Sequence, residues 1–167
     1  MSKGIWGRLT SSDLGRIPAP GSVRWRAWKA IQDTNTRLYR LSGGRIGGRY
    51  DAAPVLILHH VGRKSGQARE TPLIYLQDGA DIVLVGSMGG SPTHPAWVLN
   101  VRDRPDVEVE IKGRRIPSRA RQASAEERER LWPSLLEMWP AWEAYTRRTE
   151  REFPIVILSP ARARRSQ

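Results

Sequence analysis

The segment from Gly62 to Arg69 carries the residue types best suited to binding an anion. It reads Gly-Arg-Lys-Ser-Gly-Gln-Ala-Arg and lies between two predicted strands. Its two glycines allow backbone amides to turn toward a ligand, and its three cations and one hydroxyl are groups that bind phosphate or carboxylate. The glycine spacing excludes a P-loop and a Rossmann fingerprint. The segment is therefore either an anion-binding loop or a solvated basic hairpin loop.

Two later segments have the composition of a binding site for a flat ring. Gly86–Gly90 reads Gly-Ser-Met-Gly-Gly at the end of a predicted strand, where backbone without side chains can approach a ring closely. We call it the glycine shelf. Pro95 opens a predicted helix in which Trp97 and Asn100 are one turn apart. A later helical face carries three aromatic side chains, which are either core or the lining of a pocket: Trp139, Trp142 and Tyr145.

The strand pattern around these motifs predicts an α+β domain. Turn signals at Asp78-Gly79 and Lys112-Gly113 join strands into hairpins, which favours antiparallel pairing because crossover connections are too few. Ser124 and Glu127 form a capping box for a helix that Pro133 and Pro140 bend or divide. We expect a small closed or half-closed barrel with flanking helices. Its six strands are predicted at residues 55–61, 72–77, 82–87, 107–111, 115–121 and 154–158.

The formal charge of +11 is distributed unevenly. Residues 1–50 carry ten Lys and Arg against two Asp, residues 51–160 hold fifteen charges of each sign, and residues 161–167 add three Arg. We therefore divide the chain into a basic arm, a neutral body and a basic tail, and this segregation argues against nucleic-acid binding as the main function. The arm contains a predicted amphipathic helix over residues 22–41. We expect the arm either to contact an anionic membrane surface or to act as a solubilising segment.

Composition also excludes several kinds of site. The chain has no cysteine, so disulfides, thiolate metal sites, iron–sulfur clusters and a cysteine nucleophile are excluded. His59 and His60 point to opposite faces of a strand and cannot chelate one metal, so we expect no metal site and one packed and one exposed histidine. No run approaches the roughly 20 apolar residues of a membrane span. We expect a cytoplasmic protein, with peripheral contact of the arm with the inner membrane face as one of its two alternatives.

Together, the motifs resemble those of the deazaflavin (coenzyme F420)-dependent nitroreductase family. The resemblance covers residues 51–160 through four stretches: Gly62 to Leu73, Gly86 to Gly90, His94 to Asn100 and Pro154 to Leu158. It implies an FMN-binding-like split β-barrel and an oxidoreductase that transfers hydride from reduced F420 to a quinone, enone or nitro compound. Two alternatives stay open: the same barrel binding FMN or haem, and a non-catalytic module that binds a cofactor or an anionic surface.

The resemblance also assigns roles to individual positions. The loop that binds the phosphate and acidic tail of F420 is matched by Arg63, Lys64, Ser65, Gln67 and Arg69. The positions that lie beside the polyol chain of F420 in such proteins are matched by Thr71, Pro72 and Leu73. The positions that contact the deazaflavin ring in such proteins are matched by Gly86, Ser87, Met88, Gly89, Trp97 and Asn100. Similar proteins often carry lysine at the position of Met88. A small planar acceptor is implied beneath Trp139, Trp142 and Tyr145. Tyr145 or water is the expected proton donor, and His94 is either a second donor or a surface group.

The loop assignment leads to a first prediction. Replacing Lys64 and Arg69 together by alanine is expected to weaken binding of reduced deazaflavin by several kcal/mol at most, taking about 1.5–3 kcal/mol for each hydrogen bond to a charged group. The measurement is a titration of wild type and variant with the cofactor, followed by tryptophan quenching. Equal affinities would show that the loop does not hold the cofactor.

Overall fold

A closed antiparallel barrel forms the body of the computed structural model, which describes residue 39 and residues 48–50 and 53–161. Every strand pairing is antiparallel, and β2 pairs with both β3 and β5, so six strands close in the order β2-β3-β4-β7-β6-β5. The prediction of an α+β split barrel is confirmed. The strands are β1 Arg49–Tyr50, β2 Ala53–Val61, β3 Ala68–Asp78, β4 Asp81–Val85, β5 Asp106–Ile111, β6 Arg114–Gln122 and β7 Ile155–Pro160.

Helices occupy the connections between hairpins. They are a 3₁₀ turn at Met88–Gly90, α1 Ala96–Asp103, α2 Ala125–Met138 and α3 Ala141–Thr146. The predicted capping box opens α2, since Ser124 Oγ accepts from the Glu127 amide at 3.2 Å and Glu127 Oε2 accepts from the Ser124 amide at 2.9 Å. Pro140 separates α2 from α3, as predicted. Pro133 is exposed and lies inside α2 without ending it, because water can satisfy the carbonyl that loses its partner.

Two apolar clusters give the body an interior and an outer layer. Along β4, Ile82 and Leu84 belong to the interior cluster, whereas Val83 and Val85 belong to a second cluster with α2 and α3. This alternation follows from the two-residue period of a strand. Helix α1 joins the interior cluster through Trp97, Val98 and Val101. Leu131, Leu135 and Trp142 pack on the outer face.

The second barrel strand begins earlier than the sequence predicts. β3 starts at Ala68 rather than at residue 72, so the loop between β2 and β3 contains only residues 62–67. The polar residues before Pro72 have the composition of a loop, but they pair with β2, with Ala68 opposite Val61 and Thr71 opposite Leu58. The length of β2, rather than local propensity, extends β3. β4 ends at Val85, so the glycine shelf lies wholly outside the strand.

Tyr39 ties the chain before the barrel to the turn between β5 and β6. It is helical and 2% exposed. Its hydroxyl accepts from the Lys112 amide at 2.8 Å and donates to the Glu110 carbonyl at 3.3 Å, and burial raises the pKa of Tyr39. The rest of the predicted helix over residues 22–41 and most of the basic tail lie outside the described residues. Membrane contact by the arm and its boundary at residue 50 therefore stay predictions.

No helix in the described part of the chain is long and apolar enough to cross a membrane.

The contacts of Tyr39 predict a measurable contribution to stability. Tyr39→Phe is expected to lower the free energy of unfolding by about 1–2 kcal/mol, because two hydrogen bonds are lost and the Lys112 amide loses its acceptor. Urea denaturation of the full chain measures the change. Tyr75→Phe is the matched control, since the Tyr75 hydroxyl makes no hydrogen bond with another described residue, and we expect a change within about 0.5 kcal/mol. Equal effects of both substitutions would contradict the anchoring role.

Candidate active site

The predicted anion loop is a tight connection closed by two backbone hydrogen bonds. The Gly62 amide donates to the Gln67 carbonyl at 2.8 Å, and the Gly66 amide donates to the Gly62 carbonyl at 2.7 Å. Gly66 has a φ of +66°, in the left-handed region that favours glycine. The side chains of Arg63 and Lys64 are exposed beyond this closed base.

The loop carries positive charge that no nearby carboxylate neutralises. Within the described residues, Arg63, Lys64 and Arg69 make no ion pair, and Arg69 Nη2 donates only to the neutral Gln67 Oε1, at 3.4 Å. Elsewhere in the body, cations such as Arg121 pair with a carboxylate, here that of Glu127 at 2.7 Å. The loop donors therefore suit a ligand with several negative charges.

Asn100 connects helix α1 to this loop. Its Oδ1 accepts from the Arg63 amide at 3.1 Å, and its Nδ2 lies 3.1 Å from His60 Nδ1. His60 Nε2 lies 3.0 Å from Thr71 Oγ1 on β3. The structure thus brings two predicted site residues, Asn100 and Thr71, together with the loop through a histidine that sequence reasoning had not assigned to the site.

His59 faces the other side of β2. Its Nε2 lies 2.9 Å from Glu110 Oε2 and its Nδ1 lies 3.6 Å from Glu70 Oε1. The expectation that the two histidines occupy opposite faces is confirmed. The expectation that one of them is exposed is wrong, because His60 is 6% exposed and the His59 side chain is 13% exposed. The carboxylates of Glu70 on β3 and Glu110 on β5 shield His59 from solvent. The alternation of residues along β2 could not predict this burial.

The glycine shelf is shaped by the protein's own packing. A Cβ atom at Gly86 would lie 2.8 Å from both Pro154 Cγ and Val98 Cγ2, so this position requires glycine. Gly90 has a φ of +81°, and a Cβ atom there would lie 2.7 Å from the Tyr145 carbonyl oxygen. The sequence interpretation attributed these glycines to the approach of a ring. At Gly86 and Gly90, contact with neighbouring elements by itself requires glycine, and the approach of a ring stays a prediction.

Arg151 holds the shelf together, and sequence reasoning missed it. Its Nε donates to the Ser91 carbonyl at 3.0 Å, its Nη1 to the Gly86 carbonyl at 3.1 Å, and its Nη2 to the Ser87 carbonyl at 2.9 Å. Its guanidinium also stacks over Phe153, 5.0 Å from the ring centre. A planar group with five donors can satisfy three carbonyls in one plane. These partners are about 60 residues away in sequence, so no local pattern pointed to the contact.

His94 is also occupied by Arg151. Its Nδ1 accepts from Arg151 Nη1 at 3.2 Å. Burial lowers the pKa of His94, and the charges of Arg151 and Arg102 lower it further. The protonated form is therefore scarce near neutral pH, and the geometry favours a structural role over proton donation.

The aromatic face meets the shelf through one hydrogen bond. Trp142 on α3 is 4% exposed, and its Nε1 donates to Ser87 Oγ at 3.2 Å. Trp139 and Tyr145 are half-buried and pack on the outer cluster. The guanidinium of Arg148 lies 5.0 Å from the centre of the Tyr145 ring. Trp142 thus has a core position, while the role of all three residues in an acceptor pocket stays a prediction.

A cavity of about 550 Å³ opens between the glycine shelf and the end of α3. Its two charged lining residues are both cations. Arg148 Nη1 donates to the Gly89 carbonyl at 3.2 Å, and Arg147 Nη2 lies 3.0 Å from Glu143 Oε1. The space accommodates a small planar ring, and the two cations are placed to stabilise negative charge on that ring. The cavity is lined by Met88, Gly89, Gly90, Ser91, Pro92, Arg147 and Arg148.

Comparison with known proteins identifies the family to which the chain belongs. The sequence pattern of the F420H(2)-dependent quinone reductase family matches residues 31–160. The chain belongs to this family. An F420H(2)-dependent quinone reductase of Mycobacterium tuberculosis is 36% identical over 126 residues, which cover 73% of this chain and 85% of the relative. The solved structure of an F420-H2 dependent reductase, FDR-A, is 34% identical, with a TM-score of 0.59 over 64% of this chain and 94% of that protein.

Two other solved structures share the architecture. A domain-swapped dimer is 28% identical, with a TM-score of 0.61 over 80% of this chain and 99% of that chain. HutZ, a haem protein of Vibrio cholerae, is 10% identical with a TM-score of 0.50 over 79% of this chain and 92% of its own, which is a likeness of fold alone.

Family membership decides between the alternatives that the sequence left open. It confirms an oxidoreductase with coenzyme F420 as cofactor, rather than FMN, haem or a non-catalytic module. The match begins at residue 31, inside the predicted arm, so family sequence extends beyond the barrel into that segment.

The contacts of Arg151 predict that this guanidinium is essential to the shelf. Arg151→Lys keeps the charge but cannot bridge three carbonyls, and we expect a loss of about 3 kcal/mol in the free energy of unfolding if two such bonds are lost. Urea denaturation is the measurement. Arg119→Lys is the control, because the Arg119–Asp106 pair is exposed and contributes about 0–1 kcal/mol. If Arg151→Lys is as stable as wild type, the three hydrogen bonds of the Arg151 guanidinium do not stabilise the glycine shelf.

Proposed function

We propose that this protein uses F420H2 to reduce planar quinones and enones, with the cofactor between the anion loop and the glycine shelf and the acceptor in the adjoining cavity. The observation that carries the proposal is the position of α1 between the two binding segments. Asn100 Oδ1 holds the Arg63 amide of the loop, and Val98, on the same helix, is in packing contact with Gly86 of the shelf. One rigid element therefore sets the distance between the anion-binding end and the ring-binding end.

The loop residues supply anchoring. Arg63, Lys64 and Arg69 are assigned to the phosphate and carboxylates, where charge-assisted hydrogen bonds are short and strong. Ser65 and Gln67 add neutral hydrogen-bonding groups in the same loop. We assign the polyol chain of the cofactor to the first part of β3, which leads away from the loop. Thr71, Pro72 and Leu73 lie there and are half-buried.

The shelf residues supply orientation. Arg151 fixes the carbonyls of Gly86 and Ser87, and Trp142 fixes the Ser87 hydroxyl, so the backbone facing the ring is held before a ligand arrives. When bound, the reduced deazaflavin supplies the hydride, which is chemistry that no side chain of this protein can perform. Trp97, which we assign to the ring-binding end, is buried in the interior cluster on the same helix as Val98.

The cavity residues act on the acceptor. Hydride addition to a quinone or enone places negative charge on a carbonyl oxygen, and the guanidinium groups of Arg147 and Arg148 stabilise that charge. A proton then reaches the oxygen from Tyr145 or from water. We assign the half-buried indole of Trp139 to the roof of the acceptor site. An indole offers stacking area and few hydrogen bonds, which suits quinones and enones better than a bicyclic nitro compound.

The acceptor preference is tested with three compounds. We expect kcat/KM to be higher for a menaquinone analogue and a cyclic enone than for a bicyclic nitroimidazole, measured as oxidation of F420H2. Trp139→Tyr adds a hydroxyl and removes volume, and we expect it to shift the quinone-to-nitro ratio by about tenfold, the size of one changed pocket contact. Because Trp142 is buried, Trp142→Tyr is examined together with its effect on stability.

Trp132→Tyr is the matched control for this test. Trp132 is a half-buried indole on α2 that stacks under Arg128 and to which we assign no contact with the acceptor. If Trp139→Tyr shifts the ratio no more than Trp132→Tyr, the aromatic residues are core and the roof assignment fails. If F420H2 binds but no acceptor is reduced, the assigned acceptor class is wrong.

A further inference from the structure

Two buried polar side chains form a continuous hydrogen-bonded chain behind the anion loop. His60 on β2 is 6% exposed and Asn100 on α1 is 7% exposed. The chain begins at the Arg63 amide, which is 3.1 Å from Asn100 Oδ1. It continues from Asn100 Nδ2 to His60 Nδ1 at 3.1 Å, and from His60 Nε2 to Thr71 Oγ1 at 3.0 Å. The loop is thereby connected to α1, β2 and β3 through side chains that solvent barely reaches.

The backbone amide of Arg63 sets the direction of every hydrogen bond in this chain. A backbone N–H can only donate, so it requires the oxygen of the Asn100 amide, and the Asn100 nitrogen must then face His60. His60 Nδ1 consequently accepts a hydrogen bond and carries no proton. In neutral imidazole the proton is therefore on Nε2, where it donates to Thr71 Oγ1. One tautomer of His60 satisfies both Asn100 and Thr71.

The surroundings keep His60 in the neutral form that this arrangement requires. Burial, the guanidinium of Arg69 and the neighbouring His59 lower the pKa of His60 to about 4, against a smaller opposing effect of a hydrogen bond with the Val61 backbone. A protonated imidazole has no lone pair for Asn100 Nδ2. To pair with it, the Asn100 amide would have to turn its oxygen toward His60 and away from the loop.

We propose that His60 and Asn100 are positioning residues that hold the anion loop in its ligand-binding shape. The backbone bonds within the loop close its base between Gly62 and Gln67, whereas the Asn100 oxygen holds the segment that carries Arg63 and Lys64. A loop ordered before binding loses less conformational entropy when the ligand arrives. The inference rests on the proposed binding of the cofactor phosphate by this loop.

A purely structural role for these residues makes a different prediction from a positioning role. Loss of general stability would alter cofactor affinity, turnover and the unfolding midpoint together. Loss of positioning raises the Kd and KM for F420H2 and leaves kcat unchanged at saturating cofactor, because the shelf and the cavity are untouched. It also exposes the Arg63 amide to hydrogen exchange in the free protein.

The test uses His60→Leu, Asn100→Leu and the double variant, with His60→Gln as the conservative variant. Glutamine retains one acceptor and one donor in place of the imidazole nitrogens. His59→Gln is the matched control, since His59 is the adjacent residue on β2, is similarly buried, and faces Glu110 and Glu70 rather than the loop. Tryptophan quenching by F420 measures Kd, steady-state kinetics separates KM from kcat, and NMR reports the imidazole tautomer and the exchange of the Arg63 amide.

We expect each leucine substitution to raise the Kd about three- to tenfold, the equivalent of one lost hydrogen bond. For His60→Leu, whose residue is not among the assigned cofactor contacts, kcat is expected to stay within about twofold of wild type. The Kd of the double variant is expected to lie within about twofold of the Kd of the weaker-binding single variant. The two effects should not add, because both residues act through one hydrogen-bonded chain. His60→Gln should recover most of the affinity, and His59→Gln should match wild type. In wild type, NMR should show the proton of His60 on Nε2.

Two results would overturn the proposal. One is unchanged affinity and unchanged Arg63 exchange in both leucine variants, while the Lys64→Ala, Arg69→Ala double variant binds weakly; the proposed function then stands and the positioning role does not. The other is a loss of kcat in His60→Leu in proportion to its loss of affinity, which indicates general destabilisation. If wild type itself fails to bind F420, the proposed function is wrong, and the exchange of the Arg63 amide in the free protein then decides the positioning role alone.

Discussion

Helix α1 packs Trp97, Val98 and Val101 into the interior of the barrel, and the candidate site depends on this packing. The buried face of the helix fixes its depth and rotation, so the position of Asn100 beside the anion loop follows from apolar contacts elsewhere on the same helix. The same docking places Val98 against Gly86. A shift of α1 would therefore move both binding segments at once, which couples the stability of the core to the geometry of the site.

Polar groups around α1 are satisfied by side chains from distant parts of the sequence. Among the described residues, no buried side-chain nitrogen or oxygen lacks a hydrogen-bond partner. Arg151 satisfies three carbonyls of the segment that follows β4, and Asn100 satisfies the Arg63 amide. Each of these contacts replaces water that the irregular backbone would otherwise need. The loop and the shelf are irregular in sequence pattern yet fixed in space for this reason.

Electrostatics separates the loop from the rest of the body. Residues 51–160 are neutral overall, and many of their charges lie in local pairs such as Arg130 with Asp78 at 2.7 Å. Exposed pairs of this kind contribute little to stability, but they neutralise the surface. Against that background, the cations of the loop form a concentrated positive region at one end of the barrel, and such a region attracts and orients an anionic ligand.

Local sequence determined most of the architecture. Alternating strands, the Asp78-Gly79 and Lys112-Gly113 turns and the Ser124–Glu127 capping box act over a few residues, so they were predictable and the structure contains them. The cations and glycines of the loop likewise indicated that its composition suits an anion. The start of β3 was mispredicted because strand length depends on the partner strand, and residues 68–71 extend it only because β2 is there to pair with them.

Tertiary structure alone decided how the site is held. Arg151 finds its carbonyl partners about 60 residues away, and His60 meets Asn100 across 40 residues, so neither contact has a local signature. The burial of His59 depends on carboxylates from β3 and β5. Sequence could indicate which groups are chemically suited to an anion and to a ring. Only packing of the closed barrel around α1 could determine which polar groups meet, because hydrogen bonds are short-ranged and their partners are set by the fold.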